Sequence, residues 1–147
     1  MALRDRITED MKTAMRAADK ERLATVRLLL AAIKQREVDE RITLDDGQVL
    51  AVIEKMIKQR REAITQFASG GRSDLVAKES AEIVVLQAYL PAQLTADELD
   101  ALISEAITAT GAASIKDMGK VMGFVKPKAQ GRTDMGALSA RIKQKLG

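Results

Sequence analysis

Five cations near the end of the chain, Lys116, Lys120, Lys126, Lys128 and Arg132, are the residues whose type and spacing best suit a polyanion. Lys116 and Lys120 are four apart and share one face of a helix, and Lys126, Lys128 and Arg132 surround the turn expected after it. A patch of this kind neutralises phosphates and meets RNA through its backbone; the plainer alternative is a solvated helical surface. Gly119 and Gly123, also four apart, allow close approach to the backbone, either by a phosphate or, as the commoner use in a soluble chain, by a second helix crossing tightly. Gly131-Arg132-Thr133-Asp134 sets backbone donors and an arginine at a helix start, which serves an anion or simply a cap. Base stacking is not expected, since Phe67, Tyr89 and Phe124 are the only aromatics and most fall on apolar stripes.

Other chemistry is narrowed by what is missing. The chain has no histidine and no cysteine, so the usual general base near neutral pH, thiolate nucleophiles, disulfides and the commonest zinc ligands are all absent. Serines 69, 73, 80, 104, 114 and 139 have no histidine to activate them, and a Ser-Lys scheme has no motif. Glu79 and Glu82 share a helical face and form a pair of a kind that binds a metal or shares a proton, but without further ligands no metal site is expected. No catalytic residue and no cofactor is expected. Lys55, Lys58, Arg60 and Arg61 form a basic run that nucleic acid can meet; the reading preferred is pairing with Glu37, Asp39 and Glu40 inside the fold.

At 147 residues and 46% hydrophobic content, the chain can bury the core of one compact domain or two small ones. The net charge of +3 is uneven: residues 1–110 hold 16 Lys+Arg against 19 Asp+Glu, and residues 111–147 hold 8 against 2. Any basic partner surface is therefore C-terminal. No segment reaches the roughly 20 apolar residues of a membrane span, and the first residues carry mixed charge without an apolar run; a cytoplasmic protein with no membrane partner is expected.

Helical periodicity supplies the elements that must position these groups. Leu3, Ile7, Met11, Ala14 and Met15 mark a first helix, and Leu23, Val26, Leu29, Leu30 and Ile33 a second, central one that is apolar on most sides. Thr43 is the expected cap of a third, striped by Val49, Ile53, Met56, Ile57, Ile64 and Phe67 and ended by Gly70-Gly71. Ser73 is the expected cap of a fourth, which Pro91 stops. The segment 90–94 is the expected boundary between an N-terminal domain, 1–91, and a C-terminal one, 92–147. In the latter, Thr95-Ala96-Asp97-Glu98 is a capping box, Ser114 opens a second helix, and Thr133 or Asp134 a third. Strand alternation is missing and aromatics are only 2%, so the fold class is all-α, about four helices followed by three.

The string Ser114-Ile115-Lys116-Asp117-Met118-Gly119-Lys120-Val121-Met122-Gly123, with Lys126-Pro127-Lys128 and Gly131-Arg132-Thr133-Asp134-Met135-Gly136, resembles the signature of the GatB/YqeY family. Leu28-Leu29-Leu30-Ala31-Ala32-Ile33-Lys34, Lys58-Gln59-Arg60-Arg61-Glu62 and Ala88-Tyr89-Leu90-Pro91 extend the likeness to its stand-alone YqeY-like members. The resemblance implies a helical domain joined to one similar to the tRNA-binding tail of the B subunit of glutamine-dependent aspartyl/glutamyl-tRNA amidotransferase. It implies a non-catalytic accessory protein that contacts tRNA or other RNA, with a label of carbon-nitrogen ligase with glutamine as amido donor inherited by similarity only. The alternative expectation is a helical adaptor that binds a protein partner.

Overall fold

The computed structural model of the protein describes residues 2–147. Its order is α1 (Leu3–Arg16), α2 (Lys20–Glu40), α3 (Asp46–Ser69), α4 (Ser73–Gln87), α5 (Ala96–Thr110), a 3-10 turn (Ile115–Asp117), α6 (Met118–Ala129) and α7 (Met135–Leu146), with no strand among the described residues. The all-α expectation holds. The chain divides into two compact units, up to Leu90 and from Pro91.

In the first unit, the spacing of apolar residues on α1 to α4 brings Ile7, Val26, Leu29, Ile33, Val49, Ile53 and Leu86 together with almost no exposure. Burying each such side chain contributes on the order of 1.5–3 kcal/mol before conformational entropy is subtracted. The expectation for α2 holds on one face only: Val26, Leu29 and Ile33 are buried, whereas Leu28 is 50% and Val38 61% exposed. The caps differ in detail from those expected. Asp45, not Thr43, caps α3: its side chain accepts the Gln48 N–H at 2.8 Å, and the Gln48 amide oxygen accepts the Asp45 N–H at 2.9 Å. Asp45 stands directly before the helix and its carboxylate reaches the Gln48 N–H, which Thr43 is two residues too early to meet. Arg72 occupies the cap position of α4, and Ser73 lies inside it.

Polar ties lock the helices. The Arg4 guanidinium forks onto Glu37, whose carboxylate also accepts the Leu44 N–H at 2.9 Å, joining α1, α2 and the loop into α3. Arg4 first, and the Leu44 N–H second, hold the Glu37 carboxyl below the usual carboxylate range. The Tyr89 hydroxyl donates to Asp10 at 2.6 Å beneath the Arg6 guanidinium; burial, then the Asp10 carboxylate, pushes the phenol's pKa well up. Arg60 on α3 reaches Glu82 at 2.9 Å and Glu79 at 3.9 Å. This corrects one expectation, since the basic run does not pair with Glu37, Asp39 and Glu40 of α2; Glu79 and Glu82, read as a carboxylate pair, are arranged about an arginine. The reason is that Glu37 is already held by Arg4, and α4 is the helix packed beside this part of α3.

The second unit has its own core of Leu99, Ile103, Ala106, Val121, Val125, Ala129, Leu138 and Ile142. Thr95 and Glu98 form the expected capping box of α5, and Gly111 ends it at φ +68, the left-handed region where glycine escapes the Cβ penalty. Asp134, not Thr133, caps α7 by accepting the Gly136 N–H at 3.1 Å. The extended residues before α5 are tied to the turn before α7. There, Leu94 N–H donates to the Arg132 carbonyl at 2.8 Å, Gln93 Nε2 to the Gly131 carbonyl at 2.9 Å, and Arg132 Nε to the Ala92 carbonyl at 2.8 Å.

Candidate nucleic-acid interface

The start of α6 is set by Asp117. Its carboxylate accepts the Ala113 N–H at 2.9 Å and the Ser114 N–H at 3.4 Å, closing the 3-10 turn that carries Lys116. The Ala113 bond is the main reason its carboxyl sits below the ordinary range. From there Val121, Val125 and Ala129 recur every four residues and turn one side of α6 inward. The opposite side therefore carries Lys116, Gly119, Lys120, Gly123 and Lys126, all exposed. The helix runs on through Pro127 to Ala129, so the turn expected around 126–128 is helical. Proline has no N–H to offer the Gly123 carbonyl four residues earlier, which leaves that acceptor without its usual helical donor.

The two glycines correct an expectation. A Cβ built on Gly119 or Gly123 would meet nothing within 4 Å, so no helix among the described residues crosses there. The inward face of α6 is the one bearing valines, and the glycines lie on the other. Such positions are costly: glycine inside a helix is about 1 kcal/mol worse than alanine, and nothing in the described chain uses the space.

The five cations do not act alike. Lys116 and Lys126 form no ion pair among the described residues, and Lys120, 69% exposed, has Asp117 at 3.9 Å. Lys128 turns elsewhere: its ammonium lies 4.1 Å from the centroid of the Phe124 ring and 3.6 Å from Glu105 of α5. Arg132 spends its Nε on the Ala92 carbonyl and serves the fold. In α7, Arg141 binds Asp100 at 2.6 Å, with Lys145 at 3.8 Å from the same carboxylate; the Arg141 contact lowers the Asp100 pKa and raises that of the guanidinium. The cations that stand around the two bare glycines without a tie to another helix are thus three lysines, Lys116, Lys120 and Lys126. Sequence reading missed these diversions because Glu105 and Ala92 lie far from Lys128 and Arg132 along the chain. The described residues hold no group of three or more carboxylates able to bind a metal.

The sequence matches the family described as Yqey-like protein over residues 4–146. The chain belongs to the YqeY-like family. Curated proteins called "Altered inheritance of mitochondria protein 41, mitochondrial" are similar to it. The one from Eremothecium gossypii is 40% identical over 72% of this chain and 62% of its own length. That from Kluyveromyces lactis is 37% identical over 69% and 57%, and that from Pyrenophora tritici-repentis 32% over 97% and 80%. This YqeY-like chain thus spans about three-fifths of the first two relatives, and four-fifths of the third. These relatives are named as mitochondrial proteins, which overturns the expectation of a cytoplasmic location. That expectation rested on missing apolar runs, which do not distinguish one aqueous compartment from another. No helix among the described residues is long and apolar enough to cross a membrane.

Proposed function

We propose that this YqeY-like protein is a non-catalytic accessory factor that holds tRNA, or an RNA shaped like it, through the outer face of α6. The observation that carries the reading is the pair Gly119 and Gly123, open to 4 Å and beyond, between Lys116, Lys120 and Lys126. A ribose-phosphate chain is the partner that uses both features. Bare backbone admits it closely, lysines neutralise it, and the Gly123 carbonyl is an acceptor for a ribose hydroxyl. Recognition is of backbone and shape, because of the three aromatics Phe124 lies beneath Lys128, Tyr89 is buried, and the partly exposed Phe67 belongs to α3 of the other unit and not to α6. The family's likeness to an amidotransferase tail supports the same reading. The ligase chemistry of that enzyme is not part of the proposal, since the chain offers no histidine or cysteine and Arg60 occupies its paired glutamates.

The test is a tRNA titration at several salt concentrations with wild type and Lys116→Glu/Lys120→Glu/Lys126→Glu. The wild-type log-log salt slope should exceed that of the variant by about 2–3, at roughly 0.7–0.9 for each phosphate no longer neutralised, and affinity at low salt should fall about tenfold or more. A variant that binds as well as wild type, or a wild type that holds tRNA no better than an unrelated protein of similar pI, refutes it.

A further inference from the structure

A helix needs one apolar face to join a core, and α2 has two. Val26, Leu29 and Ile33 face inward. On the other side Ala24, Leu28, Ala31, Gln35 and Val38 are all exposed, and their spacing of four, three, four and three is that of a coiled-coil seam. The stripe runs about 21 Å at 1.5 Å per residue. Leu28 and Val38 are 50% and 61% exposed, and their apolar surface does nothing for the fold. Small Ala24 and Ala31 alternate with the larger residues, which lets a partner helix approach closely.

The two borders of this stripe differ. Along one lie Lys20, Arg27 and Lys34, each seven residues from the next, and Arg41 continues the series just beyond the helix; none of the four forms an ion pair among the described residues. Along the other runs a groove of about 610 Å³ between α2 and α3, where Ala32, Val52 and Met56 provide apolar surface, Arg36 and Lys55 as well as Asp39 and Glu40 bring charge of both signs, and Gln35 joins groove to stripe.

We propose that the outer face of α2 is a docking site for an amphipathic helix of a partner protein whose apolar stripe is bordered by acidic side chains. Its apolar residues cover Leu28 and Val38 and lean into the α2–α3 groove, and its carboxylates meet Lys20, Arg27 and Lys34. A second copy of this chain is the poorer occupant. An antiparallel pair sets the basic row against itself. A parallel pair sets it against Thr25, Ala32 and Asp39, of which only Asp39 is acidic. Nucleic acid suits the basic row but gives Leu28 and Val38 nothing apolar to cover. The proposal rests on residues of α2 and the RNA reading on residues of α6, so each is tested by its own variants.

The probe is a fluorescein-labelled 21-residue helix-forming peptide with leucines at four-three spacing and glutamates on both borders, compared with a lysine-bordered counterpart, each titrated with the full chain. The glutamate peptide should bind at least ten times more tightly. Leu28→Ser/Val38→Ser should lose at least tenfold with its thermal melt unchanged, and Arg27→Glu/Lys34→Glu should reverse the preference between peptides. Absence of saturable binding, equal binding of both peptides, or wild-type affinity in Leu28→Ser/Val38→Ser overturns the proposal. So does a dimer, by sedimentation, that this double variant dissolves, since the occupant is then a second copy. Loss of tRNA affinity in Arg27→Glu/Lys34→Glu overturns it too, because the row then serves nucleic acid.

Discussion

Along the outer side of α2 the chain exposes Ala24, Leu28, Ala31 and Val38; along that of α6 it exposes Gly119 and Gly123 among lysines. Each pattern departs from what a solvated helix wants, in opposite ways. On α2 the excess is apolar surface, which water penalises. On α6 it is missing side chain, which the helix itself penalises. A bulky apolar stripe asks to be covered by something equally apolar, whereas bare backbone asks for something thick and charged to come near. Two exposed faces of one small protein thus call for two different kinds of partner.

The sharpest way to break this contrast is within α2. Leu29→Ala, in the core, should cost about 2–5 kcal/mol in chemical denaturation, while Leu28→Ala next to it should cost well under 1 kcal/mol. Equal losses would mean that the outer face belongs to the fold after all. Next in size is the separation of partners: Lys120→Glu/Lys126→Glu should weaken tRNA binding about tenfold, and Leu28→Ser/Val38→Ser should leave it within twofold in the same titration. The glycines give a smaller effect of inverted sign. Gly123→Ala should stabilise the second unit by about 0.5–1 kcal/mol, because its Cβ meets nothing, yet Gly123→Leu should weaken RNA binding without changing charge. If calorimetry finds Gly123→Ala destabilising, the open face is an illusion.

Acid should produce the most gradual change. Glu37 in the first unit and Asp100 and Asp117 in the second all have carboxyl pKa values held below their unfolded ones. Such groups stabilise the fold above the unfolded value, and that contribution disappears as pH falls through the folded one. Stability should be flat from about pH 7 to 5 and decline below about pH 4. Asp100→Asn should flatten the decline as followed by a probe in the second unit, and Glu37→Gln as followed by one in the first.

The helices were legible because each core stripe repeats within a few residues, and because Thr95-Glu98 and Gly111 signal their ends locally. What was not legible depended on residues far apart. Arg4 with Glu37, Arg60 with Glu82 and Arg141 with Asp100 meet only once the helices pack, so the spacing of the α3 basic run points to the wrong carboxylates. Gly119 and Gly123 show how a local pattern can mislead: four-residue spacing fits a helix crossing, and only the placement of Val121 and Val125 decides which side is turned inward. Leu28 beside Leu29 and Leu30 suggests burial all round, yet adjacent residues on a helix point in different directions and composition cannot say which of them the neighbours cover.

The bonds joining residues 92–94 to the turn at 131–132 also bear on how the protein answers to force. A pull arriving along the chain at Pro91 does not reach the core of the second unit directly. It first loads Arg132 Nε on the Ala92 carbonyl, Gln93 on Gly131 and Leu94 on Arg132. These three bonds lie between the connecting chain and the α6–α7 corner and act as a buckle. Tension should open the buckle before it strips the helices, and a C-terminal fragment cut at Thr95 would lack it.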